Sequence, residues 1–529
     1  SSFSLCFSAL PAAINSAYME DEMAHVCHEL ATRHNTVPLF VNYVLERKHT
    51  SGTESSGGVC VNKRKGNVKN SISVHIFLGD SLVTNDTGVE HHPQNIPDEI
   101  GYDRIRDAFR SKSEIAYQGA VQRLDNKRTH LKQNPKPADN AVVPEFKRMP
   151  PAVWIGPSAL TIPCPVTDME QLSNRLSKVF SDYPELFNHC VKVYQKRVDY
   201  YRLTSEGQKI LQPDTVFHIT ARASIKTDGN EVKTEYYRLH VGGINDLPSE
   251  DALIGELHRF AEYMQQKSQA KAVEDLYIGP VLYEDDAAME LLAEKIADYS
   301  HSYWISIRNQ SDRKHRYLGK QVFPPALSVC QLGNDSVYNG VKLLGYRQVD
   351  ADGTKPKTLP IIEKGILKHM LTGRTPSLGC PASTGNEHFD GLSRTLETRY
   401  TAGVFRVTSN RPVPYSKLYK RFLKAAKKAG LEHTYIIRKN RTSPYALIRV
   451  DLSTGKEELV EGNYNSPSRE QFKRMHAISK EENVYNLDPA GGKGLGIISP
   501  KAILLEDMEL DITPNRARHI DEAFYELRH

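Results

Sequence analysis

Several features that would assign this sequence to a familiar class are missing. No apolar run reaches about eighteen residues, so no membrane-spanning helix is predicted. The seven cysteines are scattered and lack C-x-x-C spacing, which argues against a zinc knuckle or a disulfide framework and indicates buried free thiols. The net charge of +5 comes with no basic stripe interleaved with aromatic residues, so the sequence predicts no nucleic-acid partner.

Common catalytic motifs are missing as well. The sequence contains no G-x-S-x-G nucleophile elbow, no P-loop, and no G-x-G-x-x-G after a strand. The glycines within 491–494 precede a strand rather than a helix, which disfavours a phosphate-binding loop. The usual serine-hydrolase and nucleotide-binding sites are therefore not predicted.

What is present is typical of a soluble globular protein. Hydrophobic residues make up 39% of the chain and charged residues 25%, and 529 residues suffice for about two to four domains. The stretch Ser1–Ala17 is apolar and rich in small residues, which predicts the end of a secretory signal and a bacterial extracytoplasmic (periplasmic) location. An ordinary N-terminal helix or tail in a cytoplasmic protein is the alternative.

The first 150 residues predict a mixed α/β unit with an antiparallel sheet. Apolar periodicity predicts helices over Glu20–Asn35 and Tyr102–Gln133. Strand-like runs cover Pro38–Arg47 and Val68–Leu78, and the Gly/Ser-rich stretch Ser51–Gly58 between them predicts a polar hairpin. A polar, proline-containing linker then leads to Pro150-Pro151.

The next segment, to residue 276, predicts a smaller α+β unit. Helices are predicted over Met169–Phe180 and Leu247–Ser268, and strands over His189–Leu203 and Thr215–Ile225. The second strand ends in the turn sequence Thr227–Asn230, which favours a hairpin.

The stretch Tyr277–Asp298 predicts a strand that delivers a helix. The β-type run Leu276–Ile278 is broken by Gly279-Pro280, and Glu284-Asp285-Asp286 then supplies the acidic first turn and N-cap of a helix. From Ala287 the apolar residues recur at helical spacing. A helix N-terminus held at the end of a strand is a common way to build an active site.

The rest of the chain predicts short strands, turns and one basic helix. Residues Tyr415–Gly430 form this helix, whose cations we interpret as a solvated face, with an acidic partner as the alternative. The cations are Lys417, Lys420, Arg421, Lys424, Lys427 and Lys428. Gly496–Leu510 predicts the closing strand.

The order of these motifs resembles one protein family. The segment GPVLYEDDAAMELL is similar to the entry of the active-site helix of the TldD/PmbA family, the microcin-processing peptidases also called modulators of DNA gyrase. The later string VDADG, IIEKGILKHM and STGN resembles the C-terminal core of that family. The resemblance implies an α+β fold in which residues 1–18 are a signal remnant or tail. It also implies an N-terminal domain at 19–150, a middle domain at 151–276 and a β-rich C-terminal core at 277–529.

The resemblance also identifies where the catalytic residues would lie. The catalytic branch carries His-Glu-x-x-x-His on this helix, and the corresponding residues here are Ala293, Glu294 and Asp298. The family's third ligand is a late cysteine, but 483–496 contains none. Both metal-binding histidines are thus replaced, and only the catalytic Glu position, Glu294, is kept. Asn386, Glu387 and His388 are candidate polar residues of the family's cavity.

These replacements favour a non-catalytic, PmbA/TldE-like subunit or homologue of a metallopeptidase that acts on unfolded peptides. The implied partners are an extended peptide and either a second copy of the chain or a catalytic TldD-type chain, and no cofactor is expected. The first alternative is an active peptidase with a rearranged zinc site that uses Glu294, Asp298 and His388, with Asp390 nearby. The second is a peptide-binding protein without a proteolytic role.

Overall fold

The computed structural model describes residues 12–86, 93–96, 102–136, 138, 143–300, 314–376, 378–389, 398–400, 403–487 and 495–514. Its helices are α1 (Ala12–Arg33), α2 (Tyr102–Gln133), α3 (Val166–Ser177), α4 (Glu250–Gln269), α5 (Asp286–Ser300), α6 (Tyr415–Lys428) and α7 (Arg469–Lys473). The first strands are β1 (Phe40–Ser56), β2 (Val59–Arg64), β3 (Lys69–Phe77), β4 (Gln94–Ile96), β5 (Ala152–Ile155), β6 (Leu186–Thr204), β7 (Gln208–Lys226) and β8 (Val232–Val241).

The remaining strands are mostly short. They are β9 (Lys271–Ala272), β10 (Asp275–Asp285), β11 (Leu327–Gln331), β12 (Val337–Tyr338), β13 (Val341–Lys342), β14 (Leu359–Glu363), β15 (Ile366–Leu367), β16 (Glu387–Phe389), β17 (Thr398–Tyr400), β18 (Val404–Ser409), β19 (His433–Lys439), β20 (Ala446–Asp451), β21 (Glu457–Glu461), β22 (Met475–Ile478), β23 (Glu482–Leu487), β24 (Leu495–Pro500) and β25 (Ala502–Ile512).

Three large sheets organise these strands. The N-terminal sheet has the order β4-β3-β1-β6-β7-β5, with β2 added to β1 and β8 added to β7. The central sheet has the order β22-β25-β10-β19-β20-β21-β9, and the C-terminal sheet has the order β15-β14-β11-β18-β24-β23. Mixed sheets and packed helices confirm the predicted α+β class.

The N-terminal sheet is continuous across the predicted boundary at residue 150. Strand β1 pairs with β6 in an antiparallel register that runs from Asn42 opposite Thr204 to Ser55 opposite Val191. Helices α1 and α2 pack their apolar side chains against one face of this sheet, where Tyr43 stacks on Phe109 with ring centroids 4.6 Å apart. The segments before and after residue 150 therefore share one sheet.

A second apolar core joins the N-terminal sheet to the central sheet. Side chains of α3, α4 and α6 pack together in it with Leu282 of β10 and Leu504 of β25. Helix α5 lies on the opposite face of the central sheet, where Leu291 and Leu292 pack with Tyr283 and residues of the C-terminal sheet. The central sheet is thus buried between α5 on one side and α6 on the other.

Several sequence predictions are confirmed. Helix α2 covers the predicted range Tyr102–Gln133, and β3 matches the predicted strand closely. The hairpin after β7 is present, and Asn230 takes the left-handed conformation there, with φ of 64°.

Other predictions of local structure were wrong. The stretch Ser51–Gly58 is not a polar loop: β1 continues to Ser56, because the hydroxyls of Thr53 and Ser55 bond to Ser173 of α3 at 2.9 and 2.7 Å. A tight turn at Gly57-Gly58 then leads to β2.

The closing segment and the first helix also differ from expectation. Gly496–Leu510 forms two strands, because β24 pairs in the C-terminal sheet and β25 in the central sheet. Helix α1 begins at Ala12, so the last six residues of the predicted signal segment, 12–17, are helical and lead directly to the buried Met19. Within the described residues, no helix has the length and apolar character needed to cross a membrane.

Candidate functional site

The site implied by the sequence begins where β10 passes into α5. Strand β10 lies between β25 and β19 in the central sheet, with a bulge between Gly279 and Val281. The strand ends at Asp285, whose φ of 55° turns the chain sharply into the helix. The Asp285 carboxylate accepts hydrogen bonds from the side-chain amides of Asn440 and Asn483, each at 3.2 Å. Two neighbouring elements therefore fix the start of α5.

Glu284 does not belong to the helix N-terminus, contrary to the sequence prediction. It is the second-to-last residue of β10, and only 2% of it is exposed. Its carboxylate accepts hydrogen bonds from the hydroxyl of Tyr415 and the guanidinium of Arg438, on the side of the central sheet that α6 covers. A run of three acidic residues suggests a helix start, but strand alternation directs Glu284 to the opposite face.

Asp286 is the first residue of α5 and is largely enclosed. Burial, together with the nearby carboxylates of Glu290 and Asp285, raises the pKa of Asp286 to about 7. Glu290, one helical turn on, pairs with Lys439 at 2.6 Å. The first two turns of α5 therefore present an acidic edge that Lys439 of β19 partly neutralises.

The exposed face of α5 carries the positions that resemble the catalytic motif. Ala293 is half-buried and offers only a methyl group. The side chain of Glu294 is 52% exposed, and its carboxylate pairs with Lys295 at 3.0 Å and accepts a hydrogen bond from the hydroxyl of Ser466 at 3.3 Å. Asp298 lies in the last turn of the helix, and its side chain is outside the described part of the structure.

The predicted cavity residues are buried inside the protein rather than exposed to solvent. They are Asn386, Glu387 and His388. The Asn386 side chain exchanges two hydrogen bonds with the amide of Gln331, at 2.6 and 3.0 Å. His388 is fully buried on β16, opposite residue 399 of β17. Asp390 lies outside the described residues.

Glu387 is also buried, and its environment favours the protonated form of its carboxyl group. Its carboxyl oxygens accept hydrogen bonds from the backbone N–H of Arg374 at 3.0 Å and the hydroxyl of Thr398 at 2.7 Å. Burial, together with the negative charge of Asp352, raises the pKa of Glu387 to about 8. A neutral carboxyl of this kind serves as a hydrogen-bond donor and acceptor inside the fold.

Several charged side chains form a largely buried cluster that sequence analysis did not identify. Arg202 of β6 donates to the carboxylate of Asp352 and to the carbonyl of Ala351, both at 2.9 Å, and its Nε donates to Asn42 at 2.9 Å. Arg374 donates to Glu206 at 2.6 Å and lies 3.5 Å from Asp352. We call these five side chains, Arg202, Asp352, Arg374, Glu206 and Asn42, the inter-sheet ion cluster.

The inter-sheet ion cluster connects the N-terminal sheet to the loops of the C-terminal region. The positive charges of Arg202 and Arg374 keep the pKa of Asp352 below its usual range even though burial acts in the opposite direction. The turn Asp350–Gly353 was visible in the sequence as a motif. The two arginine partners of Asp352 could not be predicted from the sequence. One of them lies about 150 positions away, and the spacing of arginines does not indicate such a contact.

At the family's metal positions, the side chains that the structure describes do not form a zinc site. Zinc in an enzyme takes about three protein ligands from His, Cys, Asp or Glu. Ala293 has no donor atom, and the carboxylate of Glu294 is occupied by Lys295 and Ser466. Within the described residues, no three His, Cys, Asp or Glu side chains lie close enough together to hold a metal ion. Ala293 and Glu294 therefore do not fit zinc.

One segment of the chain matches a known domain. Residues 278–412 match the sequence model of the PmbA/TldA metallopeptidase C-terminal domain. A search of curated proteins by sequence gave no match.

Solved structures share the fold over nearly the whole chain. TldE from Thermococcus kodakarensis matches with a TM-score of 0.58 at 10% identity, covering 93% of this chain and 99% of TldE. A modulator of DNA gyrase from Bacteroides thetaiotaomicron matches with a TM-score of 0.61 at 12% identity, covering 94% and 99%. One from Thermotoga maritima matches with a TM-score of 0.56 at 13% identity, covering 93% and 100%. Residues 278–412 therefore resemble the PmbA/TldA C-terminal domain, and the chain has the fold of the TldE and gyrase-modulator structures.

Proposed function

We propose that this chain is a non-catalytic, PmbA/TldE-like member of the TldD/PmbA family. It would be a subunit or homologue of a metallopeptidase that acts on unfolded peptides. The observation that carries the proposal is the exposed face of α5. Ala293 stands at the first metal-ligand position and has no donor atom, and Glu294 is held by Lys295 and Ser466. The helix thus keeps the scaffold of the site without its ligands.

The chemistry of metallopeptidases explains why this loss matters. The metal ion lowers the pKa of a bound water molecule and holds the water beside a general base. A glutamate without that water has no activated proton to accept, and Glu294 is exposed to solvent that competes for its hydrogen bonds. A direct role of Glu294 in peptide hydrolysis is therefore not expected.

A peptide-holding role uses parts of the fold that remain intact. Strand β23 ends the order of the C-terminal sheet, and all of its residues are half-buried. Asn483 of β23 donates to Asp285, so this strand lies beside the start of α5. Because extended peptides bind to sheet edges through main-chain hydrogen bonds, we expect an unfolded peptide to add to the edge of β23.

A protein of this kind acts together with another chain. One structural relative is named TldE, and the proposed partner is a catalytic TldD-type chain or a second copy of this chain. The partner would supply the hydrolytic centre, and this chain would hold and enclose the peptide.

The metal content of the purified protein tests the proposal. The chain is prepared without a chelator or a His-tag, dialysed against zinc and then against metal-free buffer, and analysed by inductively coupled plasma mass spectrometry. We expect far less than one zinc per chain. About one zinc per chain, as an open catalytic site would hold, would overturn the proposal.

Two variants serve as controls for this measurement. The double substitution Ala293→His and Asp298→His restores the two imidazoles, and zinc uptake by this variant alone shows that the assay detects binding on α5. Glu294→Gln leaves the fold intact and removes the only retained catalytic group. Equal background hydrolysis of unfolded casein by Glu294→Gln and the unmodified chain is expected, and a loss of hydrolysis in Glu294→Gln would contradict the non-catalytic role.

A further inference from the structure

Helix α6 carries a positive surface that no carboxylate of the described residues offsets. Its apolar residues Leu418, Phe422 and Ala426 are buried against the central sheet. Its six cations are exposed, and none of them pairs with a carboxylate in the part of the chain that the structure describes. We call them the α6 stripe, and they are Lys417, Lys420, Arg421, Lys424, Lys427 and Lys428.

The spacing of these cations places them on one side of the helix. At 3.6 residues per turn they lie within an arc of about 120°, opposite the buried residues, and they extend over roughly 16 Å along the axis. No other residue of α6 falls within this arc. The stripe is therefore a continuous row of positive charge.

This row of charge does not stabilise α6 itself. Lys417 lies in the first turn, where the helix dipole favours acids, and that turn contains no acidic residue. Like charges three and four positions apart also repel one another, as Lys420 and Lys424 do. The placement weakens the helix and favours an interaction with an anionic ligand.

Two carboxylates that contact the flank of α6 are engaged by other side chains. Glu284 accepts hydrogen bonds from the hydroxyl of Tyr415 and the guanidinium of Arg438. Glu457 accepts a hydrogen bond from the hydroxyl of Tyr419 at 2.9 Å and lies 3.5 Å from Arg438. Because Arg438 balances both acids, they do not neutralise the stripe.

Acids at the far end of α6 limit the width of a ligand. Leu431, which follows the helix, lies against Gly279 of β10, and Gly279 is opposite Met508 of β25. Exposed acids alternate along β25 there, and they are Asp507, Glu509 and Asp511. A broad anionic surface such as a lipid bilayer would bring its charges against these acids, whereas a single extended peptide would fit the stripe.

The other end of α6 lies beside the strand proposed to hold a peptide. The backbone N–H of Tyr415, the first residue of α6, donates to the carboxylate of Glu481 at 2.8 Å. The backbone N–H of Lys480 donates to the carbonyl of Val413 at 2.8 Å. Glu481 directly precedes β23, so a peptide that leaves the stripe at this end would reach β23.

We propose that the α6 stripe binds acidic segments of extended peptides. This site rests on the proposed peptide-holding role and adds a charge preference to it. Five of the six cations are lysines, which attract carboxylates as mobile point charges without fixing one geometry, so the stripe accepts many acidic sequences. About five residues of an extended chain cover its length. The attraction speeds the arrival of acidic peptides, and salt weakens it.

Other anionic ligands are less consistent with the surroundings of the stripe. The apolar side of α6 is buried in the protein, so the helix cannot insert that side into a membrane. The aromatic residues on its flank, Tyr415 and Tyr419, are half-buried and bonded to Glu284 and Glu457, which does not suit stacking on nucleobases.

Fluorescence anisotropy with two labelled peptides tests the charge preference. The peptides are of equal length, consist of Gly and Ser with a third residue type at every second position, and carry either Glu or Gln there. In low-salt buffer we expect the Glu peptide to bind the unmodified chain about tenfold more tightly or better than the Gln peptide. High salt should remove the difference.

Charge reversal locates the site. A variant with Lys420→Glu, Lys424→Glu and Lys427→Glu should bind the Glu peptide about tenfold more weakly or worse, with its affinity for the Gln peptide unchanged. A matched control, Arg104→Glu, Arg128→Glu and Lys132→Glu, makes the same charge change on exposed positions of α2 and should bind both peptides normally. Circular dichroism spectra show that both variants are folded.

Chemical cross-linking provides an independent readout of position. A carbodiimide joins peptide carboxylates to nearby lysines, and mass spectrometry then identifies these lysines. We expect cross-links to Lys420 or Lys424, and cross-links confined to lysines outside α6 would overturn the proposal.

The outcomes separate this site from the proposed function. Equal binding of the two peptides, or undiminished binding of the Glu peptide by the α6 variant, would refute the stripe as a site and leave the peptide-holding role intact. A chain that binds neither peptide would refute both. Tighter binding of single-stranded oligothymidylate or of phosphatidylserine vesicles, lost in the α6 variant, would assign the stripe to another ligand and would also overturn the proposal.

Discussion

The buried carboxyl of Glu387 should make the stability of this protein depend on pH in an unusual direction. The folded protein holds the Glu387 proton up to about pH 8, whereas an unfolded chain releases it near the ordinary value of 4.5. Between these values the folded state binds more protons than the unfolded state, so the free energy of unfolding falls as pH rises. Asp350, whose pKa burial raises to about 7, acts in the same direction.

The magnitude follows from the difference in pKa. One pKa unit corresponds to about 1.4 kcal/mol, so the Glu387 carboxyl removes roughly 5 kcal/mol of stability between pH 4.5 and 8. The substitution Glu387→Gln removes the titration, and its amide N–H can replace the protonated carboxyl as a donor to Asp352. We therefore expect the variant to be more stable than the unmodified chain at pH 8 and to have a shallower pH dependence.

Urea unfolding followed by far-ultraviolet circular dichroism at pH 5, 6, 7 and 8 measures this effect. Glu363→Gln is the matched control, since Glu363 is an exposed strand residue and its removal should leave the pH dependence unchanged. Equal slopes of stability against pH for Glu387→Gln and the unmodified chain would refute the reasoning, and so would a variant that is less stable at every pH.

Two further substitutions test the packing around the inter-sheet ion cluster and the C-terminal sheet. Arg202→Met leaves the buried carboxylate of Asp352 without its nearest cation, and it should lower the free energy of unfolding by about 3–5 kcal/mol, measured by urea titration at pH 7. Gly345→Ala should prevent a stable fold, because the added Cβ would lie 1.7 Å from the carbonyl oxygen of Gly403; the yield of folded protein by size-exclusion chromatography checks this. A variant with unchanged stability in either case would show that the neighbouring segments can move apart.

The elements that the sequence predicted well are those whose signal is local. Helix α2 was placed from its apolar periodicity alone, since its core-facing residues, including Ile105, Phe109 and Ala120, repeat at helical spacing. The order of short motifs in the C-terminal half was sufficient to indicate the domain whose model matches residues 278–412, even though sequence identity to the solved structures of the same fold is 10–13%.

The errors arose where distant contacts override local composition. Ser- and Gly-rich residues favour a loop, yet residues 51–56 form a strand because the hydroxyl of Ser173 in α3 and residues 191–195 of β6 bond to this segment. Glu284 resembled a helix cap until Arg438 and Tyr415 were found on its side of the sheet. The same contrast between local motifs and distant contacts holds for the candidate site. A sequence motif was sufficient to find Ala293 and Glu294, whereas the partners of Asp352 could not be found from the sequence.

The pairing of β1 with β6 has a consequence for how the chain is made. During synthesis β1 leaves the ribosome long before β6, since residue 55 pairs with residue 191 and residue 42 with residue 204. Until then one full edge of β1 has no partner, and unpaired edges recruit strands from other nascent chains. A gene fragment that ends at residue 150 should therefore yield aggregates rather than a soluble domain. In the cell, chaperones that shield exposed strands are expected to act on this protein until about residue 204 has emerged.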